Sequence, residues 1–142
     1  MNTLIDCLQK NARGNVLPPV LRHVSSCTYG DCQMVVMDYV DGQPALSGTL
    51  SETHCDQVKR AIGRLHEEGI VFGDLRGQNV ITEGERVMLV DFDWCGKHGE
   101  AEYPIDLNDV AIDWPAGAGS GQVMRKEHDY AMLKRLIYGH EP

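Results

Sequence analysis

Residues 71–80 read VFGDLRGQNV. They place an acid, a cation and an amide (Asp74, Arg76 and Asn79) in one Gly-flanked turn between apolar runs. A solvent loop needs polar residues, but it does not need this set. A carboxylate accepts protons and hydrogen bonds, a guanidinium matches phosphate, and a carboxamide offers a neutral oxygen. Together they suit a phosphate-and-metal site, and the fold depends on whether the flanking sequence agrees.

It does on both sides. Upstream, Cys55, Val58, Ile62 and Leu65 recur at helical spacing, which predicts a helix over 51–68. Ser51 can cap it, Glu52 suits its first turn, and Gly69 follows as a stop. Residues 70–72 are a short apolar piece leading into the loop. Downstream, NVIT and RVMLVDF predict two strands joined across the turn EGE. Residues 93–122 are Gly-rich and aperiodic, and a long irregular stretch in a compact domain is often functional. RKEHDYAMLKRLIY (125–138) predicts a closing amphipathic helix ended by Gly139. Tyr130, Leu133 and Ile137 are expected to face inward, joined by Met132 and Leu136.

Towards the N-terminus, Leu4, Ile5 and Leu8 predict a short helix over 2–12, and VLPPV breaks it. Residues 20–27 and 33–40 predict strands joined tightly at YGDC, and DGQPALSGTL reads as a connector.

The composition narrows the function. The 142 residues fit one domain with a real core, and the hydrophobic fraction of 42% is ordinary. The formal charge of -8 opposes nucleic-acid binding through bulk electrostatics, so an anionic ligand must be held by a few local donors. The five cysteines (Cys7, Cys27, Cys32, Cys55 and Cys95) are odd in number and form no CxxC. Free thiols are favoured over a Cys27–Cys32 bridge. No apolar run is long enough for a membrane span, and the N-terminus is a poor secretory signal, so a cytoplasmic protein is expected.

The order helix, GDLRGQN, hairpin, LVDFDW resembles the catalytic core of the protein-kinase-like fold, which includes kinases and aminoglycoside-phosphotransferase-type enzymes. The resemblance covers roughly residues 16–138. That family carries an HRD or HGD triplet, an Asn five residues after its Asp, a hairpin, and then an Asp-Phe-Gly-like triplet. Asp74 and Asn79 have this spacing, and Asp91-Phe92 follow across the hairpin. The resemblance implies an α+β fold, with a helix and hairpin for the N-terminal lobe and hinge (1–40) and a short helical C-terminal lobe (41–142). It implies Asp74 as the base for the attacking hydroxyl, Arg76 beside the transferred phosphoryl group, and Asn79 and Asp91 as Mg²⁺ ligands. MVVMDYVDG resembles the fifth strand and hinge, with Met37 as gatekeeper and Asp38, Tyr39 and Val40 facing an adenine edge. DFDWCGK, with an acid-rich helix near KEHD, is similar to a fungal group of kinase-like proteins.

Departures from the pattern temper this reading. No Gly-rich phosphate loop and no VAIK-type lysine precede the hinge, so the chain looks N-terminally truncated. Each such preorganised contact is typically worth ~3–4 kcal/mol in the transition state. Losing two costs on the order of 10⁴-fold or more in rate. Phe72 and Gly73 replace the His and Arg of HRD, so switching by a phosphorylated loop is not expected. Asp93 replaces the Gly of Asp-Phe-Gly, as a further ligand or a solvent-facing acid.

Other residues receive plainer readings. Trp94 and Trp114 fit packing of the long loop better than substrate contact. His66, beside Glu67 and Glu68, reads as a surface residue. His98 and His128 lack metal spacing with the cysteines. GAGSG (117–121) reads as a flexible linker, and Asp106, Asp109 and Asp113 as turn caps or solvent-facing acids. The function expected is ATP- and Mg²⁺-dependent phosphoryl transfer to a protein or small-molecule hydroxyl, slow or partner-dependent. The alternative is a pseudokinase scaffold. A third reading is a half-domain completed by a partner chain or by self-association; nucleic acid and membrane are not expected as partners.

Overall fold

The computed structural model describes residues 41–108 and 111–139, together with the backbone pairing of 21–22, 28–29, 32–33 and 36–37. Near the N-terminus, β1 (Leu21–Arg22) pairs antiparallel with β4 (Val36–Met37), and β2 (Thr28–Tyr29) with β3 (Cys32–Gln33). The Tyr29–Cys32 pairing agrees with a tight turn at YGDC. The helix expected over 2–12, the hinge residues Asp38, Tyr39 and Val40, and the Cys27–Cys32 question lie outside the described residues; of Met37 only the backbone pairing is described.

The helix α1 spans Glu52–Glu67. Ser51 caps it by accepting from the His54 amide at 3.2 Å, and Gly69 ends it at φ 74°. Cys55, Val58, Ile62 and Leu65 are all buried, as the spacing predicts, and Ala61 and His66 join them. Val58 and Ile62 are fully excluded from water. Each such side chain contributes about 1.5–3 kcal/mol of burial.

The hairpin of β7 (Val80–Glu83) and β8 (Arg86–Leu89) packs on α1. Its turn is tied to the helix, where Gln57 donates to the Glu85 carbonyl (2.6 Å) and accepts from the Val87 amide (3.0 Å). A third strand, β5 (Gln43–Pro44), pairs with β7 inside the stretch expected to be only a connector. Pro44 is tolerated because β5 is an edge strand. Likewise, β6 (Ile70–Val71) pairs antiparallel with β9 (Gly96–Lys97), inside the stretch expected to be irregular. Two-residue strands carry no readable period, so only the fold reveals them.

The closing helix α2 (Lys126–Tyr138) presents a different face from the one expected. Met132, Leu133 and Leu136 are buried and Ile137 partly so, but Tyr130 is 52% exposed. Asp129 takes the inward position, completely buried. Asp129, Met132, Leu133 and Leu136 stand at i, i+3, i+4 and i+7, so this acid sets the helix rotation. The main core joins α1, the hairpin and α2 around Phe72, Leu75 and Val80. A second cluster of Val71, Tyr103, Leu107 and Met124, flanked by Trp94 and Trp114, organises the long loop. Residues 117–121 form hydrogen-bonded turns, with Gly121 donating to the Tyr103 carbonyl, rather than a loose linker. Among the described residues, no helix is long and apolar enough to cross a membrane.

Candidate active site

The loop opens from β6, and its shape is imposed from behind. Asp129 accepts hydrogen bonds from the Phe72 amide (2.8 Å), the Gly73 amide (2.9 Å) and His66 Nε2 (2.8 Å). His66 therefore belongs to the interior, 5% exposed, and not to the surface its acidic neighbours suggested. Gly73 adopts φ 83°, and a Cβ there would fall 2.1 Å from the Met124 methyl. Glycine at this position is therefore a requirement of the turn.

Gly77 is required for another reason. A Cβ there would lie 2.2 Å from the Ala45 carbonyl oxygen, a backbone atom that cannot swing away. This close approach lets the Ala45 amide bond the Gly77 and Val80 carbonyls at 3.0 and 2.8 Å. Gly77→Ala is expected to destabilise the chain by about 3 kcal/mol, the upper range for overpacking, as read from urea unfolding.

On this scaffold Asp74, Arg76 and Asn79 come together as the spacing suggested. Arg76 grips the Asp74 carboxylate with two nitrogens, Nε donating to Oδ1 and Nη2 to Oδ2 (2.6 Å). Asn79 Nδ2 donates to Asp74 Oδ2 (2.7 Å) and to the Asp74 carbonyl (2.9 Å). Asp74 is 5% exposed, so these charge-assisted bonds form largely out of water. A carboxylate offers about four lone-pair sites. Three are filled by these donors, one on Oδ1 and two on Oδ2. The fourth site, on Oδ1, has no donor among the described residues.

Asp91 lies beyond the hairpin and is exposed. The preceding Val90 amide donates to the Asn79 carbonyl at 2.9 Å, which brings the end of β8 against the loop. Asp91 is the only non-glycine with positive φ (61°) among the described residues. Such strain costs about 1–3 kcal/mol and clusters at functional sites. The donor set suits a hard cation. The Asn79 amide nitrogen is committed to Asp74, which turns its carbonyl oxygen away, and Asp91 adds an exposed carboxylate. Among the described residues, no cluster of three His, Cys, Asp or Glu side chains forms a metal site by itself. Any cation here would need oxygens from its ligand or from water.

The surroundings are apolar and aromatic. Phe92 stands edge-on to Phe72, with ring centroids 5.1 Å apart. Burial pushes the Cys95 thiol well up, reinforced by Asp129 and Asp91, so it stays protonated and donates to the Phe72 carbonyl. Tyr103 donates to His128 Nδ1 (3.0 Å), which also accepts from the Arg125 amide. Burial lowers the His128 pKa, outweighing the pull of Asp129 and Glu127. Trp114 packs between Tyr103 and Trp94, as expected, but its ring also lies 5.5 Å from the Arg76 guanidinium. Asp113 is not a free solvent-facing acid, since Arg135 bonds both its carbonyl and its carboxylate.

Spacing along the chain exposed neither Asp129 nor the Trp114 contact. One signal was present, because an acid at position 129 lies on the same helical stripe as Met132, Leu133 and Leu136. An acid on an apolar stripe must find buried donors.

The architecture is a small α+β domain of reduced protein-kinase-like fold, with the loop, the hairpin and Asp91 in that family's order. The chain is 33% identical over 145 residues to a probable bifunctional tRNA threonylcarbamoyladenosine biosynthesis protein of Methanoculleus marisnigri, covering 88% of this chain and 26% of that protein. It is 34% identical over 83 residues to the same-named protein of Methanothermobacter thermautotrophicus, covering 58% and 14%. It is also 38% identical over 87 residues to the KEOPS complex subunit Bud32 of Pyrococcus abyssi, covering 56% and 36%. The chain thus spans well under two thirds of the length of each of these relatives. No family model matches the sequence. These similarities support a kinase-like family.

Proposed function

We propose that this chain is a kinase-like phosphotransferase module that binds ATP with Mg²⁺ and works within a protein assembly for tRNA threonylcarbamoyladenosine formation. The observation that carries the catalytic part is the buried Asp74 carboxylate, oriented by Arg76 and Asn79 with one lone-pair site on Oδ1 left without a donor among the described residues. Asp74 takes the proton of an acceptor hydroxyl as its oxygen attacks the γ-phosphorus and the bond to the β-phosphate oxygen breaks, releasing ADP. Arg76 stabilises the charge that gathers on the transferred group. Asn79 and Asp91 would hold Mg²⁺, which when bound would offset the phosphate charge. The hinge, Met37 to Val40, would receive the adenine.

The assembly part rests on the names of the relatives. The formal charge of -8 leaves RNA contact to other members of such an assembly. A protein partner is expected to raise transfer above the rate of the chain alone. The test is thermal unfolding with ATP, with and without Mg²⁺. At a hundredfold excess over Kd, binding adds about 2.7 kcal/mol, a shift of several degrees. Asp91→Ala is expected to lose the Mg²⁺-dependent share of that shift. Absence of any shift at millimolar nucleotide rejects the nucleotide assignment.

A further inference from the structure

The Arg76 guanidinium has two partners. The Asp74 carboxylate engages it through hydrogen bonds, and the Trp114 ring lies 5.5 Å away across the loop. Trp114 is itself held in place. Its indole Nε1 donates to the Asn108 carbonyl at 2.9 Å, and its ring packs on Tyr103 (6.0 Å) and Trp94 (5.7 Å). The neighbouring Asp113 is tied to Arg135 on α2 at 3.1 Å. The long loop is thus anchored to the core helix and delivers an aromatic surface to the cation of the catalytic loop.

We propose that Trp114 is a positioning residue for Arg76, holding the guanidinium where a transferred phosphoryl group would meet it. This rests on the assignment of Arg76 to that group. A free arginine side chain has many rotamers, and ordering it at the moment of reaction would raise the barrier. A cation over an aromatic face is attracted to the ring and can slide along it without losing that attraction. Arg76 can therefore shift from Asp74 towards an incoming phosphate while staying over Trp114, which frees carboxylate oxygen for the acceptor hydroxyl. This gives the long aperiodic segment a role in the chemistry through Trp114.

The test uses Trp114→Leu, which keeps apolar bulk but has no ring face, and Trp114→Phe, which keeps a face. Two measurements are made. In nitrogen-15 spectra, the Arg76 Nε–H resonance of the native chain is expected to be sharp and displaced by the ring. Trp114→Leu removes the displacement, and Trp114→Phe retains part of it. In steady-state turnover, Trp114→Leu lowers kcat about tenfold with KM for ATP nearly unchanged, the size expected of a partly desolvated cation–π contact. Trp114→Phe recovers most of that loss. An Arg76 resonance unchanged in Trp114→Leu overturns the proposal. So does equal loss of kcat in both variants, which would mark Trp114 as packing alone. If the native chain shows no turnover, phosphotransfer falls, and the Arg76 resonance still decides whether Trp114 holds the guanidinium.

Discussion

Asp129→Ala should lower the stability of the chain by about 3–5 kcal/mol, the range found when one partner of a buried ionic network is removed. The Phe72 amide, the Gly73 amide and His66 Nε2 would all lose their acceptor in a region closed to water. Each unpaired donor costs about 1–3 kcal/mol. For a domain of this size the melting temperature should fall by roughly 10 °C or more. Asp129→Asn should fall between the two, because its amide offers one acceptor oxygen but sets an NH₂ group against a donor. Lys134→Ala, exposed on the same helix, should change stability by less than about 0.5 kcal/mol. Equal melting of Asp129→Ala and the native chain would show that the network does not hold the loop.

The second large effect is on chemistry. Asp74→Asn should reduce ADP release at saturating ATP and Mg²⁺ by about 10²–10⁴-fold, the usual contribution of a positioned general base. The asparagine carbonyl can still accept from Arg76 or Asn79, so the loop should keep its shape and the nucleotide-dependent thermal shift should survive. Loss of turnover with retained binding separates a catalytic role from a structural one. If Asp74→Asn turns over like the native chain, Asp74 is not the base, and the module is better read as a non-catalytic scaffold.

Much of this was legible in the sequence because it is local. The helix over 51–68 has its cap, its apolar spacing and its glycine stop within a short run. The structure returns it as Glu52–Glu67 with every predicted inward residue buried. The hairpin after Asn79 follows from two strand patterns and a glycine turn, and it appears in register. The Asp74, Arg76 and Asn79 grouping followed from spacing alone, since all three lie on one short loop. The two-residue strands β5, β6 and β9 were not legible, because pairing and not pattern defines them.

What failed at the sequence level involved polar groups taken out of water. His66 looked solvated because Glu67 and Glu68 follow it, and Tyr130 looked inward because it fits an apolar stripe. Both readings reverse once Asp129 is buried. It draws His66 inside from 63 residues away, and it rotates α2 so that Tyr130 faces outward.

The sequence by itself determined which chemical groups share the loop and the order of helix, loop, hairpin and Asp91. Spacing over a few residues places side chains relative to one another through backbone geometry alone. Only the tertiary structure decided what holds the loop open for chemistry. Asp129 lies 57 residues from the Phe72 amide it receives, and Trp114 reaches Arg76 from the far side of the long loop. A buried acceptor must find donors and a cation gains from an aromatic face, but which segments supply them is settled by packing of the whole chain.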